Sequence, residues 1–237
     1  MNYYVYGKEY REEIDKGLAK DSTIAYLWQQ RAMPLFKQGK YELGMSYIDK
    51  AVKYDPFHWM PYRAFIKCIF AQTYRDAIAD FEKCRTVLGN AYVMDHTYNF
   101  YIALCKLQLN EFEDAERMLE TEVDSQAVLY GDGLVHHLDL FYLGMSKYEL
   151  GKYEEAVSVF DRALEKYPQF SDVQYYKSYC LLRLGRVEEA EALFALAKEN
   201  GRAGYTINED NEVYERYPYQ VRWSHIRRPL QSGAPRT

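Results

Sequence analysis

The stretch that decides the fold is Gly151-Lys152-Tyr153-Glu154-Glu155-Ala156-Val157-Ser158-Val159-Phe160-Asp161-Arg162-Ala163-Leu164-Glu165-Lys166-Tyr167-Pro168. It opens on a glycine, which takes the left-handed backbone that ends a preceding helix at no steric cost. It closes on a proline, which cannot continue a helix. Between the two, an aromatic (Tyr153), a small residue (Ala156), a large one (Phe160) and a second small one (Ala163) follow at helical spacing. The same order stands at Gly39-Lys40-Tyr41-Glu42-Leu43-Gly44 through Asp49-Lys50-Ala51-Val52-Lys53-Tyr54-Asp55-Pro56.

Laying the chain in steps of about 34 residues extends this order to five units: 25–58, 59–91, 96–129, 137–170 and 171–204. Turn residues are Gly39, Asn110, Gly151 and Gly185; the second unit is one residue short there, with Thr73 before its aromatic. The aromatic column reads Tyr41, Tyr74, Phe112, Tyr153, Val187, and the small one after it Gly44, Ala77, Ala115, Ala156, Ala190. Ile48, Phe81, Leu119, Phe160 and Phe194 make the large column, and Ala51, Cys84, Glu122, Ala163 and Ala197 the second small one. Small residues let two helices approach to about 8–10 Å, and large ones fill the hole beside them.

This pattern resembles the second helix of the tetratricopeptide repeat. The resemblance implies an all-α solenoid of about five helix pairs over residues 25–204, with an N-terminal capping segment (1–24) and a non-repeat C-terminal tail (205–237). The third unit departs most, with Glu122 in a small-residue column and Tyr130-Gly131-Asp132-Gly133-Leu134-Val135-His136 inserted after it. Tyr6, Tyr10, Ile14 and Leu18 recur every fourth residue and mark the capping helix. In the tail, Pro218 and Pro229 disfavour a helix, while Tyr217, Tyr219, Val221, Trp223 and Ile226 are too apolar for a solvated end. Residues 205–230 are therefore expected to pack as an extended cap on the stack or in its groove, with 231–237 disordered.

The net charge of −5 is uneven: after Glu215 there are five arginines and no acid, so the first 215 residues carry −10. An acidic body lacks the basic face that displaces counterions from nucleic acid, so no nucleic-acid partner is expected. No stretch approaches the ~20 apolar residues of a membrane span, and no basic-then-apolar start marks a secretory signal. A cytoplasmic protein is the resulting expectation.

The four cysteines look like packing residues. Cys68, Cys105 and Cys180 share one first-helix position, which Ser146 fills in the fourth unit, and Cys84 stands in a small-residue column. Repeat spacing predicts them about 10 Å or more apart, too far for a disulfide or a zinc site. Asp132, His136, His137 and Asp139 form the one polar cluster that a metal- or ligand-dependent enzyme or sensor could use. No nucleophile–base motif or phosphate loop is present, and neither an enzyme nor a cofactor is expected.

In the tetratricopeptide family the first helix of each pair lines a concave groove that takes peptides or helices. By register, the partner-binding residues implied are Tyr26, Gln29, Met33 and Phe36, then Arg63, Lys67 and Phe70, then Phe100 and Leu104. Phe141, Met145 and Tyr148 follow, and Tyr175 and Tyr179 close the row. The Lys/Asn/Arg clamp that binds acidic chaperone tails is absent, with Gln29, Met33, Thr97 and Tyr101 in its places. The expected function is a protein-binding adaptor. An immunity or chaperone protein that sequesters a toxin or secreted effector is the alternative.

Overall fold

The computed structural model describes residues 7–226. Tyr6 and the segment beyond Ile226, including Pro229 and residues 231–237, lie outside them. The helices are α1 (Lys8–Lys20), α2 (Ala25–Phe36), α3 (Tyr41–Tyr54), α4 (Pro56–Ile69), α5 (Tyr74–Leu88) and α6 (Tyr98–Gln108). They continue as α7 (Phe112–Tyr130), α8 (His137–Glu149), α9 (Tyr153–Lys166), α10 (Ser171–Arg183) and α11 (Val187–Arg202). Two strands of two residues, β1 (Tyr92–Val93) and β2 (His96–Thr97), pair antiparallel ahead of α6. The fold is all-α, a series of tetratricopeptide-like helix pairs.

The chain divides into two compact units, residues 1–105 and 106–237, with the division inside α6. In the first unit α1 packs on α2, α2 on α3, α3 on α4 and α4 on α5. Ile14 and Leu18 of α1 are buried. Ala32, Phe36, Ile48, Ala51, Phe65, Ala77 and Phe81 form the interior. Gly44 of α3 lies against the Phe36 ring, where an added Cβ would overlap it. In the second unit the order is α7 on α8, α8 on α9, α9 on α10 and α10 on α11. Here the small residue sits on the first helix instead: Gly144 of α8 faces Phe160 of α9 with no room for a Cβ. A Phe buried this fully contributes roughly 2–3 kcal/mol from apolar area alone.

The turns explain the register. Gly39, Asn110, Gly151 and Gly185 all have positive φ, between 61° and 77°. After each, an amide reaches back to the last turn of the first helix, as Lys152 N to Lys147 O (2.9 Å) and Arg186 N to Leu181 O (2.9 Å). The second unit is not short: Gln72 (φ 55°) holds this position, two residues before Tyr74 as Gly39 is before Tyr41. Its α4 also starts earlier than residue 59, because Pro56 serves as the first helical residue and Asp55 caps it by accepting from His58 N (3.2 Å). The inserted segment after the third pair is partly a continuation of α7 to Tyr130, followed by a 3-10 turn at Asp132–Leu134.

One inference about the cysteines fails. The thiols of Cys68 and Cys105 lie near enough to act on each other electrostatically rather than standing a repeat apart, because their small side chains face one another in the interior, where Cys68 Sγ donates to Tyr101 O at 3.8 Å. All four cysteines are free and buried.

Candidate peptide-binding surfaces

The structure divides the residues singled out by register into an interior set and a reachable set. Gln29, Phe36, Phe70, Phe100, Leu104, Phe141 and Met145 are all buried. They cannot meet a partner in this conformation; a first helix between two neighbours is apolar on more than one face, and these seven belong to the packed faces. Tyr26 is 56% exposed, and Met33, Tyr148, Tyr175 and Tyr179 are half-buried.

Arg63 and Lys67 are not free cations. Arg63 donates Nε and Nη2 to the two Asp80 oxygens (both 2.8 Å) and Nη1 to Asp49 (2.7 Å), and Lys67 Nζ reaches Asp80 at 2.7 Å. Burial opposes the Arg63 charge, but the bonds to Asp80 and Asp49 outweigh it and push its pKa up. The second unit has a similar knot around Lys147, which bonds Glu116, Glu120 and Glu155 at 2.7–3.0 Å.

The first unit leaves an open aromatic cleft of about 450 Å³ at the start of α2 and α4, lined by Thr23, Tyr26, Tyr54, Asp55, His58 and Trp59. The Tyr26 and Trp59 rings are tilted with centroids 6.4 Å apart, and Tyr62 meets Trp59 edge-on at 6.0 Å.

In the second unit the tail lies on the first helices. It leaves α11 at Gly204 (φ 92°) and returns over α8 and α10. Tyr142 of α8 donates its hydroxyl to Pro218 O, and Tyr176 of α10 donates to Tyr219 O, both at 3.0 Å. Asp172, fully buried in the first turn of α10, accepts from Val221 N and from the Thr206 hydroxyl, both at 2.6 Å. Burial pushes its carboxyl up to about 6 despite these donors. Trp223 seats against Gly201 of α11, where any Cβ would overlap the indole, and donates Nε1 to Ser171 Oγ at 3.0 Å. Tyr175 meets the same indole edge-on at 5.6 Å. The tail therefore caps the end of α11 and also lies along the first helices α8 and α10. Tyr142, Ser171, Asp172 and Tyr176 were not singled out from sequence; nothing local distinguishes them, since their partners lie 34–76 residues away.

The polar cluster after α7 is engaged in ion pairs, a helix cap and ring packing. Asp132 pairs with Arg162 (2.7 Å) and His136 Nδ1 caps α8 by accepting from Leu138 N (3.3 Å). His137 stands edge-on to Tyr167 and Phe170 and beside Asn208, while Asp139 is buried and accepts from Gln126.

Family profiles described as tetratricopeptide repeat match residues 25–58 and 142–204. No curated protein sequence matches the chain. Among solved structures, PilW, a widely conserved type IV pilus biogenesis factor, superposes with a TM-score of 0.66 at 17% identity over 84% of this chain and 90% of its own. MamA from Desulfovibrio magneticus RS-1 (residues 41 to the end) gives 0.63 at 14% identity, covering 76% and 96%. YrrB, a TPR protein with an unusual peptide-binding site, gives 0.54 at 18% identity, covering 81% and 94%. At these identities the likeness is one of fold. Among the described residues no helix is long and apolar enough to cross a membrane.

Proposed function

Because this chain belongs to the tetratricopeptide-repeat family, we propose that it is a protein–protein interaction module, a non-catalytic cytoplasmic adaptor that holds a protein or peptide partner on its first-helix faces. The observation that carries the placement is the open cleft at the start of α2 and α4, where the Tyr26 and Trp59 rings stand 6.4 Å apart around about 450 Å³ of space. Large aromatics with a polar tip are the side chains that most often anchor an interface. The acidic balance of the body favours a protein over a nucleic-acid partner.

The thiols fit a binding role rather than nucleophilic chemistry. Burial pushes Cys84 up to about 11 and Cys180 up to about 12, so neither supplies thiolate near neutral pH. Affinity purification of the intact chain, with mass spectrometry of what accompanies it, identifies the partner. Titration of that partner against Tyr26→Ala/Trp59→Ala should then weaken binding at least tenfold, the order of an interface anchor. An unchanged affinity in the folded double variant would remove the cleft from the interface.

A further inference from the structure

The tail segment 217–223 is held on the second unit in the way a bound peptide is held. Repeat side chains grip its main chain at three points: the Pro218 and Tyr219 carbonyls by the Tyr142 and Tyr176 hydroxyls, and the Val221 amide by Asp172. The backbone they hold is a turn, with Gln220 N bonded to Tyr217 O (3.1 Å) and Tyr219 at φ 62°, and main-chain contacts of this kind hold it whatever side chains it carries. Selectivity comes from two further contacts. The Tyr219 ring meets Tyr176 edge-on at 6.0 Å. Trp223 enters a notch floored by Gly201 and walled by Ala197 and Tyr175, with Ser171 receiving its indole N–H.

We propose that the α8–α10 face is a peptide-binding site whose resident ligand is the chain's own segment 217–223, and that a partner segment making the same turn with the same chemistry, two aromatics around a proline followed by an apolar residue and a tryptophan, exchanges with it. This rests on the reading of the chain as a binding module and names the ligand class of one face. Two features support exchange. Residues 205–222 contain no helix or strand, so the segment leaves without unfolding an element. The α10–α11 pair keeps its own buried face through Val173, Cys180, Ala190 and Phe194. Vacating the face would take the Val221 amide from the buried Asp172, leaving that carboxylate oxygen without this donor while Thr206 stays on the other, a costly state, so one occupant replaces another.

The test places a protease site between Asp210 and Asn211, where Asp210 is exposed, and follows a fluorescein-labelled synthetic peptide of residues 213–226 by anisotropy. After cutting, the labelled peptide should displace the severed piece and bind at least tenfold tighter than to the uncut chain. Tyr142→Phe with Tyr176→Phe should weaken that binding about tenfold, and a peptide carrying Trp223→Ala should fail to bind. In the uncut chain, Trp223→Ala should admit the labelled peptide without any cut. A severed piece that never exchanges, a helical signal lost on cutting, or binding indifferent to the two tyrosine hydroxyls would each make the tail a permanent cap and overturn the proposal. Failure here, with the Tyr26/Trp59 interface intact, would leave the broader binding reading standing; loss of both would end it.

Discussion

The first-helix faces of the two units are built from the same repeat chemistry and end up in opposite states. In the first unit the face carries ion pairs, with Arg63 and Lys67 tied to Asp80, and an accessible pair of rings, Tyr26 and Trp59. In the second it is covered by a segment from outside the repeats, which buries Ile207, Tyr217, Val221 and Trp223. A repeat thus specifies how its two helices meet, whereas the exposed side of its first helix is settled by what lies on it. Both units carry an ion-pair knot, around Arg63 in the first and Lys147 in the second, and only the second adds a remote apolar anchor.

The strongest way to break that contrast is Trp223→Ala. Removing the indole from its notch should lower the stability of the second unit by about 3–5 kcal/mol, the range for a large buried aromatic, read from the denaturant midpoint. An unmoved midpoint would mean the second face needs no cover. On the first unit, Asp80→Ala leaves Arg63 and Lys67 facing each other without their shared carboxylate. A loss of about 3 kcal/mol is expected, and a neutral result would show that the charges there are ornamental.

Asp172 sharpens the comparison by pH. Burial raises its carboxyl from 3.8 to about 6, so the folded chain binds that proton more tightly than the unfolded one. The resulting stabilisation is complete below about pH 4 and lost as pH rises through about 6, no more than about 3 kcal/mol in all. Melting temperature should therefore decline over that window, and Asp172→Asn should flatten the decline; an unchanged profile would place the titration elsewhere. The smallest effect belongs to the turns. Gly151→Ala, at φ 73°, should cost about 1 kcal/mol, seen as a melting shift of a few degrees, while the same change at Gly133, whose φ is not left-handed, should cost less.

How much of this was legible follows from the range of the interactions. The helix pairs could be read because each turn, small column and large column is satisfied within one repeat. Gln72 could not, since glutamine carries no mark of the left-handed backbone it adopts there. Register located Phe100 and Phe141 on first helices, but their period does not say which neighbour a ring faces, and both proved to be interior. Asp172 reads as an ordinary first-turn acid until Val221 and Thr206 arrive from 49 and 34 residues away. The Cys68–Cys105 contact was missed because helix spacing measures axes, and two side chains pointing inward close the gap.

The Gly201–Trp223 notch also has a consequence in time. The notch is finished once α11 ends at Arg202, yet the indole that fills it is translated about twenty residues later. At roughly 5–20 residues per second, synthesis leaves this face uncovered for about one to four seconds. For that interval the newborn chain presents a bare aromatic trough, with its own stopper still being made.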